Sequence, residues 1–339
     1  MKKITIAAAV AAALGTNGSD AYFMGLYSSG VLVPRVVHNG PGDTTAVGLT
    51  TADADHCPFL TPGGDPAQSG TVYWTFFDVD SNHVTDGSFP MTNNDVYPFV
   101  WAEESGLGLE GKEGYLVFLL DQNNDGQLEL FESNECLTAE AFHVVTADSD
   151  VAFVPTWPVD TGAYGLDLAD IALAGSVDLA TLGPTSLTTL TAGAGFGGAF
   201  AGVPVRLSLR YSIAGGDTTD IVVWSADSVG GPDVVYTVNI FDDEQNRRSV
   251  NFPLPNAQQN TIDPAAIAGR PADFVNGFIR WEPPLSAGCT QPPVPDPGSL
   301  PDTYTDNGCD GNGVVSYSVI DTQAFGARQT IINGWYFAP

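Results

Sequence analysis

Apolar and polar positions in this chain of 339 residues follow the period of a β-strand, and only rarely that of a helix. The run from Arg206 to Ile213 places an apolar residue at every second position, as a strand with one face in a core requires. The run GYLVFLL, Gly114 to Leu120, is continuously apolar. It is too short for a helix and rich in aromatic and aliphatic residues, so it also reads as a strand. Val, Ile, Tyr, Phe, Trp and Thr gather in such runs, and Gly, Pro, Asn and Asp separate them at a spacing of roughly ten residues. The pattern predicts an all-β chain of short strands. A helical pattern is confined to Leu166–Leu182, which could hold a turn or two of helix.

The chain also repeats itself. GDTTAVGLTTAD (42–53) lies over GDTTDIVVWSAD (216–227) with six of twelve positions identical. YWTFFDVDSN (73–82) then lies over TVNIFDDEQN (237–246), FPM (89–91) over FPL (252–254), EGYLVF (113–118) over NGFIRW (276–281) and AFHVV (141–145) over SYSVI (316–320). Five stretches in one order indicate duplication. With strands this short, each copy is expected to be a β-sandwich, immunoglobulin-like or jelly-roll-like. The expected division is a signal peptide over 1–21, a first sandwich over 22–158, a connection rich in Gly, Ala and Thr over 159–201, and a second sandwich over 202–339. The first segment has the required parts: Lys2 and Lys3, an apolar run from Ile4 to Leu14, and the small-residue site Ser19-Asp20-Ala21. It is shorter than a membrane span needs, and no later run is long and apolar enough for one. Export to the cell surface or the medium is the expectation.

Between the first sandwich's GYLVFLL and AFHVV runs stands DQNNDGQLELFE, residues 121–132. Calcium takes six to eight oxygens, and a twelve-residue loop supplies them from alternate positions around a tight turn. Asp121, Asn123 and Asp125 occupy the first three ligand positions, Gly126 the turn, Gln127 the backbone-carbonyl position and Glu132 the closing bidentate position. Leu128 would pin the loop to a core, and Glu129 could contribute through water. Over these twelve residues the chain resembles the EF-hand loop and the related loops of dockerins. The resemblance implies a Ca2+ ion as cofactor. The strand before the loop implies a structural site, since a calcium switch needs flanking helices that reorient. The equivalent interval of the second copy, Trp281 to Val314, has no such loop. It carries Cys289, a Pro-rich run and Cys309, so a disulfide is expected to hold there what metal holds in the first copy.

Charge narrows the partners. The formal net charge is −29, and loss of residues 1–21 would make it one unit more negative. Such a chain repels nucleic acid and anionic lipid and attracts cations. Four cysteines in an exported chain argue for disulfides, expected within copies as Cys57–Cys136 and Cys289–Cys309. The absence of C-x-x-C-H excludes c-type haem attachment. No nucleophile elbow, H-E-x-x-H helix, P-loop or dinucleotide loop occurs in a credible setting, and GAGFGG (193–198) lacks the lysine of a phosphate loop. His38, His56, His83 and His143 show no ligand spacing. Glu103, Glu104, Glu110 and Glu113 lie near Trp101, a combination that could cleave a glycoside but reads more simply as an acidic loop. The six tryptophans read as core residues. The expected function is a non-catalytic extracellular structural or adhesive protein, stabilised by calcium and partnered by itself or other surface proteins. The alternative is a calcium-dependent protein that binds or cleaves polysaccharide.

Overall fold

The computed structural model describes residues 27–104, 109–128, 136–159, 177–178, 205–225, 229–284 and 314–337. The first half contributes β1 (Gly30–Val37), β2 (Asp43–Thr51), β3 (Ser69–Asp78), β4 (His83–Thr92), β5 (Val96–Val100), β6 (Glu113–Asp121), β7 (Gln127–Leu128), β8 (Leu137–Val145), β9 (Asp150–Val154) and β10 (Trp157–Val159). A short β11 (Val177–Asp178) pairs with β7. The second half contributes β12 (Val205–Ser212), β13 (Thr218–Ser225), β14 (Val235–Asp242), β15 (Arg247–Pro253), β16 (Gln259–Ile262), β17 (Asn276–Trp281), β18 (Val314–Thr322), β19 (Ala327–Ile332) and β20 (Gly334–Phe337). The fold is all-β and of sandwich type.

Besides the β7–β11 ribbon there are four antiparallel sheets. Sheet I is β5-β2-β8-β9 and sheet II is β4-β3-β6-β1-β10. Sheet III is β16-β13-β18-β19 and sheet IV is β15-β14-β17-β12-β20. The order of I recurs in III, and that of II in IV, strand for strand. The repeated sequence stretches fall on matching strands. Asp78 and Asp242 each fold a hairpin tip, with Oδ1 accepting the backbone N–H of Asp80 and Asn82 in one case and of Glu244 and Asn246 in the other. Gly114 and Gly277 are matched by need as well as position. A Cβ there would sit 2.0 Å from the carbonyl oxygen of Phe77 and 1.8 Å from that of Phe241. One pairing from the sequence requires correction. Gly48 pairs with Glu140 and its counterpart Val222 with Tyr317, so AFHVV and SYSVI are two residues out of structural register. A slip of two keeps each side chain on its own face, which is why the hydrophobic pattern alone did not reveal it.

The two sandwiches form one stack. Phe118, Trp74 and Phe76 on one face of sheet II meet Phe99 and Trp101 at the edge of sheet I. The opposite face of sheet II meets sheet III: Tyr115 lies edge-on to Trp224 at 5.6 Å, and Trp157 lies near Tyr317 at 6.5 Å. The core of the first sandwich accordingly runs on through Val222, Trp224, Val315 and Tyr317. The other face of sheet III, with Ile221 and Val223, packs on Leu209, Ile240 and Ile279 of sheet IV. Every residue of β1 is buried, as is every residue of β6 after Glu113. Burial on both faces explains why GYLVFLL is continuously apolar. In the joint between II and III, Arg35 reaches Glu113 and Asp220, both at 3.1 Å. Burial works against its charge, but Asp220 and Glu113 outweigh that, and the guanidinium is held charged. At the rim, the β3–β4 hairpin accepts the N–H of Gln259 on Val79 O at 3.1 Å, and Asp150 Oδ2 accepts the N–H of Arg328 at 2.8 Å.

The strand β20 closes the edge of sheet IV against β12, as β10 closes sheet II against β1. The C-terminal run thus serves its own sandwich. Within Leu166–Leu182, the residues Val177–Asp178 are extended; the rest of that run, and of the 159–201 connection, lies outside the described residues. The segment expected to be a signal peptide, residues 1–21, lies outside them too. No helix among the described residues is long and apolar enough to cross a membrane.

A joint this apolar should couple the two sandwiches. Scanning calorimetry should give one cooperative transition for the whole chain. Trp224→Ala, which empties a fully buried site in the joint, should cost about 3–5 kcal/mol and separate the transition into two. Two transitions in the unsubstituted chain would contradict the coupling.

Candidate metal centre

The loop after β6 is built on Asp121, the last residue of that strand. Asp121 is fully buried. Its Oδ1 accepts the backbone N–H of Asn124 at 2.6 Å and its Oδ2 that of Gly126 at 2.8 Å. Asn124 and Gly126 have positive φ, +58° and +83°, which turns the chain back on the carboxylate. Asn123 Oδ1 accepts the N–H of Asp125 at 3.2 Å. Each carboxylate oxygen has two lone pairs, so Asp121 keeps acceptor capacity after orienting the loop. Burial pushes the Asp121 carboxyl upward, and Asp125 adds to the rise, against the backbone hydrogen bonds. A cation beside it would offset the cost that burial imposes.

Asn124 is the residue that sequence reasoning missed. It stands at a non-ligand position of the motif. Its side chain donates to the carbonyls of Leu60 (2.9 Å) and Ser69 (3.0 Å) and accepts from Thr71 Oγ1 (2.8 Å). Leu60 N–H also donates to Gln122 O at 2.8 Å. The loop is thereby seated on the β2–β3 connection. The signal available in the sequence was the Asn-Asn-Asp-Gly run, in which an Asn adopting positive φ was foreseeable.

The same connection carries Cys57, and Cys57 is bonded to Cys136 with an S–S distance of 2.07 Å. This pairing is the expected one. Its place was not anticipated: Cys136 directly precedes β8, so the disulfide fixes the far end of the very loop that Asp121 begins. The Asp121 turn and the disulfide therefore hold the two ends of one interval in the first copy. In the chain-entropy account a closed loop of 79 residues of sequence separation is worth about 4.5 kcal/mol. Cys289 and Cys309 lie outside the described residues.

Of the ligand set, the structure brings Asp121, Asn123 and Asp125 to one turn and places Gln127 at the start of β7. Glu132 and Glu129 lie outside the described residues. Among the described residues no three His, Cys, Asp or Glu side chains converge. The described part of the donor set, an oxygen-only group with two carboxylates and one amide, suits a hard cation such as calcium. The loop fits the ion as far as it is described; Asp121, Asn123, Asp125 and the Gln127 carbonyl are the groups that would hold it.

The other candidate residues disperse. Trp101 is fully buried among Trp74, Phe76 and Phe99, so it offers no face for a sugar. Glu103 and Glu104 end the 3-10 turn Trp101–Glu103. Glu104 is pushed upward by burial and by Glu103. Glu113 does not belong to that loop at all: it opens β6 and faces Arg35. The matching turn in the second copy, Pro264–Ala266, bears no acid. The histidines stay apart. His56 pairs with Asp53, His83 with Asp86, His143 with Asp43, and His38 lies edge-on to Trp101. Trp74, Trp157, Trp224 and Trp281 are core residues. The chain matches no family model, no curated protein and no solved structure.

Asp125 is exposed and adds to the rise of the buried Asp121 carboxyl, so Asp125→Ala should lower the melting temperature in calcium and not in chelator. With an affinity of about 10 µM and about 1 mM calcium, binding adds roughly 2.7 kcal/mol, which is the margin the variant should lose. The raised Asp121 carboxyl also has a sign. A folded pKa above the unfolded value means that the calcium-free fold gains stability as pH falls through that range. Calcium competes with that proton, so titration calorimetry should show its affinity falling as pH is lowered. No binding heat at neutral pH, or equal effects of Asp125→Ala with and without calcium, would contradict the assignment.

Proposed function

We propose that this is an exported, calcium-stabilised structural protein of the cell surface or extracellular matrix that acts by joining surfaces and catalyses nothing. The observation that carries the reading is where the special chemistry sits. The one described disulfide, the buried Asp121 turn and the Asn124 clamp all fix a single loop to the body. Arg35 and its two carboxylates fix one sandwich to the other. These groups stiffen; none opens onto a reacting centre. A rigid four-sheet body with reinforced loops suits load or display outside the cell, where calcium is plentiful and disulfides persist. The acidic surface suits calcium and keeps the body soluble.

The carbohydrate reading retains one observation, the adjacent carboxylates Glu103 and Glu104, of which Glu104 has a raised pKa. Burial of Trp101 weighs against it. A panel of polysaccharides incubated with purified protein decides between the two. The structural reading expects no release of reducing ends. Release that is lost in Glu104→Gln, with the melting temperature unchanged, would establish the enzyme instead.

A further inference from the structure

Sheets II and IV hold the same place in their two sandwiches, and each turns one face away from its own core. In sheet II that face is covered by sheet III. In sheet IV no described residue covers it. Leu207, Leu209, Ile240, Val250, Ile279 and Trp281 point into the core of the second sandwich, so the alternate positions of β12, β14, β15 and β17 point out. Strand register lines these up in rows. One row reads Arg210, Phe278, Phe241, Arg247, and the next reads Ser208, Arg280, Asn239, Ser249.

The duplication shows what this face has become. On sheet II, Tyr115 meets Trp224 of sheet III, and Val117 and Leu119 share its face, buried. The residues that match Val117 and Leu119 on sheet IV are Arg280 and Glu282. Two positions that are apolar under a covering sheet are thus charged where none covers them, so this face is not built to receive another sandwich. Four of the nine basic residues beyond residue 21 stand on it, Arg206, Arg210, Arg247 and Arg280, in a chain with 40 Asp and Glu. With acids in such excess, pairing is the ordinary state of an arginine here, and Arg35, Arg206 and Arg328 are so paired. Among the described residues, Arg210, Arg247 and Arg280 have no carboxylate partner. Arg210 donates to the carbonyls of Tyr211 and Gly277, the Arg280 guanidinium lies 5.6 Å from the Phe241 ring, and Arg247 is exposed. In strand position, Asp243 and Glu244 follow the first row and Glu282 follows the second. The result is a basic band with acids on both sides, four strands or roughly 14 Å long and two rows or roughly 7 Å wide.

We infer that this band binds a carboxylate-bearing polysaccharide, a uronate glycan, laid across the four strands of sheet IV. The inference rests on the structural reading above and names one surface that the protein joins. Charge complementarity selects an anion, and the guanidinium fork matches a carboxylate in particular. The fold already uses this match: Arg35, which corresponds by register to Arg210, holds Glu113 and Asp220. Ser208, Asn239 and Ser249 stand between and beside the arginines, and their hydroxyl and amide groups can exchange hydrogen bonds with sugar hydroxyls. Single-stranded nucleic acid needs free aromatic faces for its bases, whereas Phe241 and Phe278 turn their faces to each other, stacked at 4.7 Å and 9°. A duplex or an anionic bilayer would overhang the narrow band onto Asp243, Glu244 and Glu282, but a thin linear chain stays within it. The net charge of −29 does not forbid contact, because at physiological salt charges beyond about 8 Å are screened.

Isothermal titration of the full chain with a hexameric galacturonate, beside a neutral hexaglucan, tests this. Unbound calcium is dialysed away first, so that the ion does not bridge the glycan to other acids. The galacturonate should bind, the neutral hexamer should not, and the affinity should fall as salt is raised. Arg280→Ala and Arg247→Ala should each lower the affinity about 10-fold. Arg247 is exposed, so its loss should act at an unchanged melting temperature. Lys112→Ala removes the same charge from an exposed position in the first sandwich and should leave the affinity unchanged. No binding at millimolar galacturonate, or an equal loss in Lys112→Ala, would overturn the proposal. Tighter binding of a single-stranded oligonucleotide or of polyglutamate through the same arginines would overturn it in favour of that partner. Absent glycan binding, with calcium still raising the melting temperature and no reducing ends released, would overturn this inference alone. Reducing ends released from the galacturonate would overturn the structural reading and the inference with it.

Discussion

The structure depends on a sheet whose central strands have no solvent face. Sheet II is covered by sheet I on one side and by sheet III on the other, and its central strands β1 and β6 are buried almost throughout. Placing a guanidinium in such a layer is costly unless carboxylates meet it, and Glu113 and Asp220 do so from the two copies. The cation at once compensates the burial and fixes how the sandwiches are aligned. Removing it would leave Glu113 and Asp220, both half-exposed, facing each other at the rim of the joint. The aromatic contacts Tyr115–Trp224 and Trp157–Tyr317 supply the dispersion and area around that pair.

The loop chemistry follows from the same layering. Since β6 lies in the middle of sheet II, the chain leaves it deep inside the body and must return to β8 in sheet I. A crossover of that length is expensive to order. The turn on Asp121, the Asn124 clamp on Leu60 and Ser69, and the Cys57–Cys136 bond share that cost between the loop's start and its end. Calcium would add to this arrangement by satisfying a carboxylate that burial otherwise penalises.

Much of this was legible in the sequence, for physical reasons that can be named. Period-2 alternation in β12 and the continuous run in β6 gave strands because burial imposes those patterns directly. The duplication was visible because glycines such as Gly114 and Gly277 are constrained by a carbonyl oxygen that a Cβ would meet at 2.0 and 1.8 Å. The pairing Cys57–Cys136 followed from keeping each copy self-contained. What stayed hidden is what depends on distant residues meeting. Arg35 gives no local sign of an ion pair with Asp220, 185 residues away. Glu113 read as part of an acidic loop because its partner is on another strand. Asn124 occupies a motif position that carries no ligand, so its role as a clamp appears only when Leu60 and Ser69 are placed beside it. The two-residue slip between β8 and β18 was invisible because it conserves the face of every side chain.

The account's central claim is that the two sandwiches are one cooperative body joined through sheets II and III. Native-state hydrogen exchange read by mass spectrometry tests it most directly. If the joint couples them, amides of β6 in the first sandwich and of β18 in the second exchange only through the same global opening, with equal free energies and equal dependence on denaturant. Exchange of β18 at a markedly lower free energy, while β6 stays protected, would show two independent domains and contradict the claim.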